Sequence, residues 1–309
     1  MIIGHHKQWG FLKNSIENNR ISHAYLFYGP TKIGKKTIAL DFAKLLVNPA
    51  SKSNIVSDLT YIEPECAIDK EGEKKEASKA IIPVAQIFNL KKKLSLSAVS
   101  DNYKVAIIEE APSMTSDAQG ALLKLLEEPR GKTVIILLSE QLNQLASTIV
   151  SRCQAIRFDL LSNKEIEKYL IQENISSKKA QEISWLSFGK PGIAIDCLNS
   201  LDEEKFQRER IKEINYLTDS SLKIRFEYAE KLSKKRDEAI RVLEIWLNYF
   251  HELLLDKLGN KQTLAPFKKK SYSVQKLRKN INLVEKIKFV LSHTNTNPRL
   301  AIEVLLMKM

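Results

Sequence analysis

The chain has 309 residues, of which 43% are hydrophobic and 28% charged, a balance typical of a globular protein with room for two or three domains. The first ten residues hold no apolar run behind a basic start, and the longest aliphatic run near the middle, Val134 to Leu138, is too short to span a bilayer, so neither a secretory signal nor a membrane anchor is expected. Net charge is +12, with 21 Lys/Arg against 17 Asp/Glu in residues 1–160 and 28 against 20 in the rest; a nucleic-acid-facing surface and solvated lysine-rich helices both fit that balance.

Three cysteines, Cys66, Cys153 and Cys197, lie too far apart for a disulfide framework or a zinc cluster, so a cytoplasmic setting is expected. His5 and His6 precede a short helical pattern of Trp9, Leu12 and Ile16. Adjacent histidines project in different directions from a helix, which favours packing or solvated roles over metal ligation. Ala24 to Tyr28 reads as a short strand feeding the loop Gly29-Pro30-Thr31-Lys32-Ile33-Gly34-Lys35-Lys36-Thr37, and an apolar-periodic helix follows (Ile38, Ala39, Phe42, Ala43, Leu45, Leu46). Strand, glycine loop and helix in that order are the context of a phosphate-cradling P-loop. Gly29 and Gly34 fit its glycine frame, and Lys35 stands at its phosphate-contacting lysine. The next position should carry a hydroxyl for Mg²⁺, but it carries Lys36, whose ammonium has no lone pair to offer a cation. Thr37 brings a hydroxyl one residue later, about 100° further round the helix.

Residues 47–80 turn toward Asn, Pro, Ser, Lys and Glu; the charged run Asp69 to Glu76 reads as a surface loop and Leu59 to Ile62 as a strand. Ile82, Val84 and Ile87 open a helix carrying Lys91, Lys92 and Lys93, read as a solvated face in preference to a phosphate contact. Val105 to Ile108 reads as a buried parallel strand that delivers Glu109 and Glu110 to its carboxyl end, the edge where α/β sheets bind ligands. In P-loop NTPases the first such acid helps hold Mg²⁺ and the second polarises the attacking water. A helix from Ala118 stops at Glu127-Glu128-Pro129, and Thr133 to Leu138 forms another strand ending at Ser139, a hydroxyl suited to a γ-phosphate or a positioned water. Arg152, just before the strand Ala155 to Phe158, is either an ordinary surface arginine or a long, permanently charged group able to reach phosphate across a subunit boundary. Beyond residue 160 the pattern is helical. One helix near Ile183 ends at Phe188-Gly189-Lys190-Pro191-Gly192, further helices run to about Leu258, and two more lie beyond a break at 259–266.

His23-Ala24-Tyr25-Leu26-Phe27, then Leu122-Leu123-Lys124-Leu125-Leu126-Glu127-Glu128-Pro129, then Ser151-Arg152-Cys153-Gln154, in this order and spacing, resemble the bacterial clamp-loader AAA+ subunits of DNA polymerase III. Asn297 to Glu303 is similar to the end of their delta-prime members, and the resemblance covers nearly the whole chain, weakly at 47–80 and in the 200s. It implies an AAA+ P-loop α/β domain with a RecA-like parallel sheet over 1–160, a helical lid over 161–200 and an all-α collar over 201–309. The implied partners are motor (tau/gamma) and delta subunits and, through the assembled ring, the sliding clamp and primer-template DNA, with no membrane.

Four departures from the family pattern point to its non-hydrolysing members. Lys36 replaces the Mg²⁺-binding hydroxyl, and Glu109 stands where Asp is usual. Gly192 occupies the position of the motor subunits' sensor arginine, with Lys190 as a partial substitute. The family's four zinc cysteines are missing, so no zinc is expected. The implied site is a degenerate P-loop (Gly29, Pro30, Gly34, Lys35, Lys36, Thr37, with Glu109, Glu110 and Ser139) that requires no cofactor and binds ATP or ADP weakly if at all. Beside it stands an intact arginine finger, Arg152, which the family points into a neighbour's ATP site. Trp246, Tyr249, Phe250 and Leu254 read either as collar contacts or as the collar's own core. Two alternatives remain: an active motor-type ATPase in which Thr37 and Glu109 restore the metal site, and a stand-alone basic DNA-binding protein using the lysine-rich C-terminal half.

Overall fold

A computed structural model describes residues 2–47, 58–65, 80–95, 103–129, 131–259 and 272–309. Cys66, the charged run 69–76 and most of the break at 259–266 lie outside the described residues. Packing divides the chain into two units, residues 1–161 and 162–309.

The first unit runs α1 (His6–Glu17), β1 (Ala24–Tyr28), α2 (Lys35–Val47), β2 (Leu59–Ile62), α3 (Val84–Ser95), β3 (Lys104–Ile108), α4 (Ser116–Glu127), β4 (Thr133–Ser139), α5 (Ser147–Val150) and β5 (Gln154–Arg157). The strands form one parallel sheet in the order β2-β3-β4-β1-β5. Successive side chains leave a strand on opposite faces, and here both faces are covered. Ala24, Leu26, Ala106, Ile108, Ile135 and Leu137 join one core with α3 and α4. Tyr25, Phe27, Val105, Ile107, Val134 and Ile136 join another, to which α2 adds Ile38, Ala39, Phe42, Ala43 and Leu46. The strands therefore read as continuous apolar runs. Phe42 is fully buried edge-on to Tyr25, with ring centroids 5.4 Å apart, and truncating it to alanine should cost about 3–5 kcal/mol. Parallel strands bring all their carboxyl ends to one edge. Tyr28 lies beside Ser139 and Arg157, and Ile62 beside Ile108, so the P-loop, Glu109 and Ser139 share that edge.

The second unit is helical among the described residues: α6 (Asn163–Gln172), α7 (Ser177–Leu186), α8 (Pro191–Asn199), α9 (Leu201–Leu217), α10 (Leu222–Leu232), α11 (Arg236–Lys257), α12 (Val274–His293) and α13 (Pro298–Lys308). It opens with a reciprocal cap in which Ser162 and Glu165 satisfy each other's backbone N–H groups. Gly192, expected to follow a helix end, sits in the first turn of α8, because Pro191 suits the first position of a helix, where its missing N–H costs nothing. One core unites Trp185, Leu186 and Phe188 with side chains from α9 through α13, so packing runs without a break across the lid–collar boundary expected near 200. Trp246, Tyr249 and Phe250 are buried in that core. Trp246 donates to Arg210 O (3.0 Å) and stacks on Tyr228, and the Tyr249 hydroxyl donates to Asn215 Oδ1 (2.9 Å). Of the two readings of these aromatics, the structure selects the internal one. Among the described residues, no helix is long and apolar enough to cross a membrane.

Candidate functional site

The loop between β1 and α2 is shaped by close packing. Gly29 has φ 149°, and a Cβ there would lie 2.1 Å from the Phe158 carbonyl oxygen at the end of β5, so only glycine lets the two backbones approach this closely. Gly34 has φ 102°. Ile33 is fully buried, and His5, itself buried, bonds the Ile33 carbonyl through Nε2 at 3.0 Å while its ring meets Phe158 edge-on. His5 is thus a packing histidine, as the sequence favoured. The Lys35 ammonium donates back to Gly29 O (2.6 Å) and Pro30 O (2.7 Å), so at least two of its three donors are committed to the loop's own carbonyls.

Lys36 follows Lys35 in the first turn of α2, and its ammonium donates to Glu109 Oε2 at 2.9 Å, beyond the carboxyl end of β3. It also lies 4.6 Å from the centre of the Tyr61 ring on β2. The residue at the hydroxyl position therefore sits as a cation against the acid that would share a metal with that hydroxyl. Magnesium would have to displace this ammonium from Glu109, and the Lys36 side chain offers it no ligand atom. Thr37 is exposed one position further round the helix. Glu110 is exposed, with a left-handed backbone (φ 46°) that turns the chain out of β3. Ser139 lies next to the loop, its carbonyl accepting from Gly29 N (3.3 Å), but its buried hydroxyl donates to Gln141 O at 2.8 Å and accepts from Gln141 N at 3.3 Å. Among the described residues no group of three or more His, Cys, Asp or Glu is placed to hold a metal ion.

Arg152 lies elsewhere. It precedes β5, whose first residue, Gln154, pairs with Tyr25 near the amino end of β1, whereas the P-loop leaves the carboxyl end. At a rise of about 3.3 Å per residue, a strand of this length separates the two edges by roughly 13 Å. Arg152 and the P-loop of this chain thus occupy opposite ends of the sheet. The guanidinium is held by Glu127 at the end of α4 (Nη2 to Oε1, 2.7 Å) and by the Thr148 carbonyl of α5 (from Nη1, 3.0 Å). Beside it, burial pushes the Cys153 thiol up to about 11, which keeps it neutral and unreactive.

Lys190 does not behave as a spare phosphate ligand. Its ammonium is buried and pairs with Glu244 of α11 at 2.5 Å. Burial works to raise the Glu244 pKa, but the charges of Lys190 and Lys288 together outweigh it and hold the carboxyl below its usual range. Sequence reasoning missed three members of these constellations: Tyr61 under Lys36, Glu127 beside Arg152, and Glu244 beside Lys190. The first had one usable signal, a cation at the hydroxyl position facing an acid after a buried strand. The other two depend on helix packing that no local spacing encodes.

Residues 4–162 match a family model described as DNA polymerase III, delta subunit. The chain is 37% identical over 184 residues to DNA polymerase III subunit delta' of Bacillus subtilis, covering 55% of this chain and 52% of that protein. It is 36% identical over 147 residues to subunit delta' of Pseudomonas aeruginosa, covering 43% and 42%. To subunit gamma of Buchnera aphidicola it is 29% identical over 202 residues, covering 62% and 54%. The chain thus spans about half the length of the curated relatives it matches. In fold it is similar to a DNA polymerase III gamma subunit-related protein from Thermotoga maritima (TM-score 0.52, 19% identity, 97% of each chain).

Proposed function

This chain belongs to the DNA polymerase III delta-subunit family, and on that premise we propose that it is a delta-prime-like member of a clamp-loader ring in DNA replication. Its own ATP site is degenerate, and it presents Arg152 to the ATP site of an adjoining motor subunit of the tau/gamma type. A delta subunit completes the ring, which meets the sliding clamp and primer-template DNA. The residues of Gly29 to Thr37, with Glu109, Glu110 and Ser139, hold nucleotide weakly or not at all and need no metal.

The observation that carries this reading is the ion pair between Lys36 and Glu109. It supports the reading because the ammonium of Lys36 stands against the acid with which a P-loop ATPase holds its metal, while the loop stays packed. The opposite-edge position of Arg152 supports it, because the guanidinium lies away from this chain's own loop and is free of any role there. A guanidinium supplied to phosphoryl oxygens stabilises the charge that develops there, worth on the order of 10³–10⁵ in GTPases that receive one in trans.

Two measurements test the proposal. The purified chain should show no Mg²⁺-dependent ATP turnover; turnover abolished by Lys35→Ala would refute the degenerate-site reading. In the complex assembled with its motor subunits, Arg152→Ala should lower DNA-dependent ATPase while assembly stays intact. Unchanged ATPase would refute the arginine's role.

A further inference from the structure

The two anchors of Arg152 come from different elements: Glu127 is the last residue of α4, and Thr148 lies in α5. An ion pair at 2.7 Å on one terminal nitrogen and a hydrogen bond at 3.0 Å from the other hold a flat guanidinium at two points. A guanidinium has five N–H donors, and these anchors use two of them. Holding the group and serving a phosphate therefore do not compete for the same donors. Glu127 also ends α4, where the last carbonyls carry partial negative charge and favour a cation. The pair is 37% exposed on the arginine and 49% on the glutamate. At such exposure an ion pair adds little to stability, whereas an unanchored arginine would spread over many rotamers.

We infer that Glu127 is a positioning residue for Arg152: it keeps the guanidinium pre-arranged, so that a phosphate of the adjoining subunit meets one side-chain conformer instead of many. The inference rests on the reading of Arg152 as an arginine finger. It concerns a residue that never touches the nucleotide, and it predicts an effect on turnover without an effect on folding.

The test uses the full chain assembled with its motor subunits, carrying Glu127→Gln, Glu127→Asp, Arg152→Ala or Glu127→Gln with Arg152→Ala. Glu127→Gln should lower kcat of the Arg152-dependent part of the ATPase about two- to fivefold, the range of an exposed ion pair, with KM unchanged. Glu127→Asp should recover part of the loss, and Glu127→Gln should add nothing in the Arg152→Ala background. Assembly and melting temperature should match the parent. A rate for Glu127→Gln equal to the parent overturns the inference, and so does a higher rate, which would make Glu127 a brake. An additive loss in the double variant also overturns it, because Glu127 would then act apart from Arg152. If Arg152→Ala lowers the rate and Glu127→Gln does not, only this inference falls. If Arg152→Ala changes nothing, the finger reading falls with it.

Discussion

Replacing Lys36 is the most direct way to ask whether an internal cation has taken the place of the metal. The Lys36 and Glu109 side chains are 48% and 29% exposed, so their pair contributes about 0.2–1 kcal/mol. The ammonium over Tyr61, at 4.6 Å, adds about 0.5–1 kcal/mol. A magnesium ion that reached Glu109 would forfeit both, about 1–2 kcal/mol together, which weakens any metal effect by roughly five- to thirtyfold. It would also find no hydroxyl on the residue after Lys35. Titration of labelled ADP with Mg²⁺ and again with EDTA reads this as a ratio of two dissociation constants. The parent protein should give a ratio of about one, and Lys36→Thr, which frees Glu109 and returns the hydroxyl, a ratio of about ten or more. Lys36→Met removes the pair without adding a ligand; its ratio should stay near one while stability falls by about 1–2 kcal/mol. A parent ratio of about ten or above, equal to that of Lys36→Thr, would refute the reasoning.

Three further outcomes follow from packing and charge. Gly29→Ala forces a Cβ to 2.1 Å from the Phe158 carbonyl and should cost about 3–5 kcal/mol in denaturant unfolding. Gly34→Ala meets open space at φ 102° and should cost only about 1–3 kcal/mol of backbone strain, so equal costs would contradict the contact. Glu244→Gln strands the buried Lys190 and should destabilise the chain by about 2–3 kcal/mol at pH 7, less than a fully enclosed pair because Glu244 keeps some solvent. Since the folded Glu244 carboxyl lies below its usual 4.5, its contribution is fully present above that value and is lost as pH falls through the folded one; the gap between parent and variant melts should therefore narrow in acid. With its thiol pushed up to about 11 from 9.0, native Cys153 should react with a thiol reagent at pH 8 tens to a hundred times more slowly than in the unfolded chain; equal rates would show an exposed thiolate.

The α/β half was legible in the sequence because its signals are local. Runs such as Val105 to Ile108 must be buried on both faces, and a glycine loop between strand and helix has few alternative geometries. Lys36 was readable as a departure from the P-loop pattern, but its contact with Glu109 was not, since 73 residues separate them and only the pairing of β2 with β3 beside β4 brings Tyr61, Glu109 and the loop to one edge. The helical half was legible in outline and ambiguous in detail. A stripe of Trp246, Tyr249 and Phe250 looks the same whether it meets another helix of its own chain or of a neighbour; the hydrogen bonds from Trp246 to Arg210 and from Tyr249 to Asn215 decide it. Lys190 misled for the reverse reason, since its position beside Gly192 suggested a phosphate ligand while its partner, Glu244, lies 54 residues away.

The packing of the loop does not depend on the side chain that follows Lys35. Ile33 sits in the core, His5 and Ser139 each bond the loop backbone, and Gly29 lies against Phe158 at the end of β5. These contacts hold the carboxyl end of β5, the strand whose amino end follows Arg152. A change at exposed Lys36 leaves this packing intact, whereas a side chain at Gly29 would press on Phe158 and the end of β5. A chain selected to present Arg152 to another subunit would thus keep the glycines of a P-loop while its metal chemistry lapses. That ordering also separates the two kinds of variant: Lys36 substitutions should leave the Arg152-dependent ATPase of the assembled complex unchanged, and Gly29→Ala should lower it together with stability.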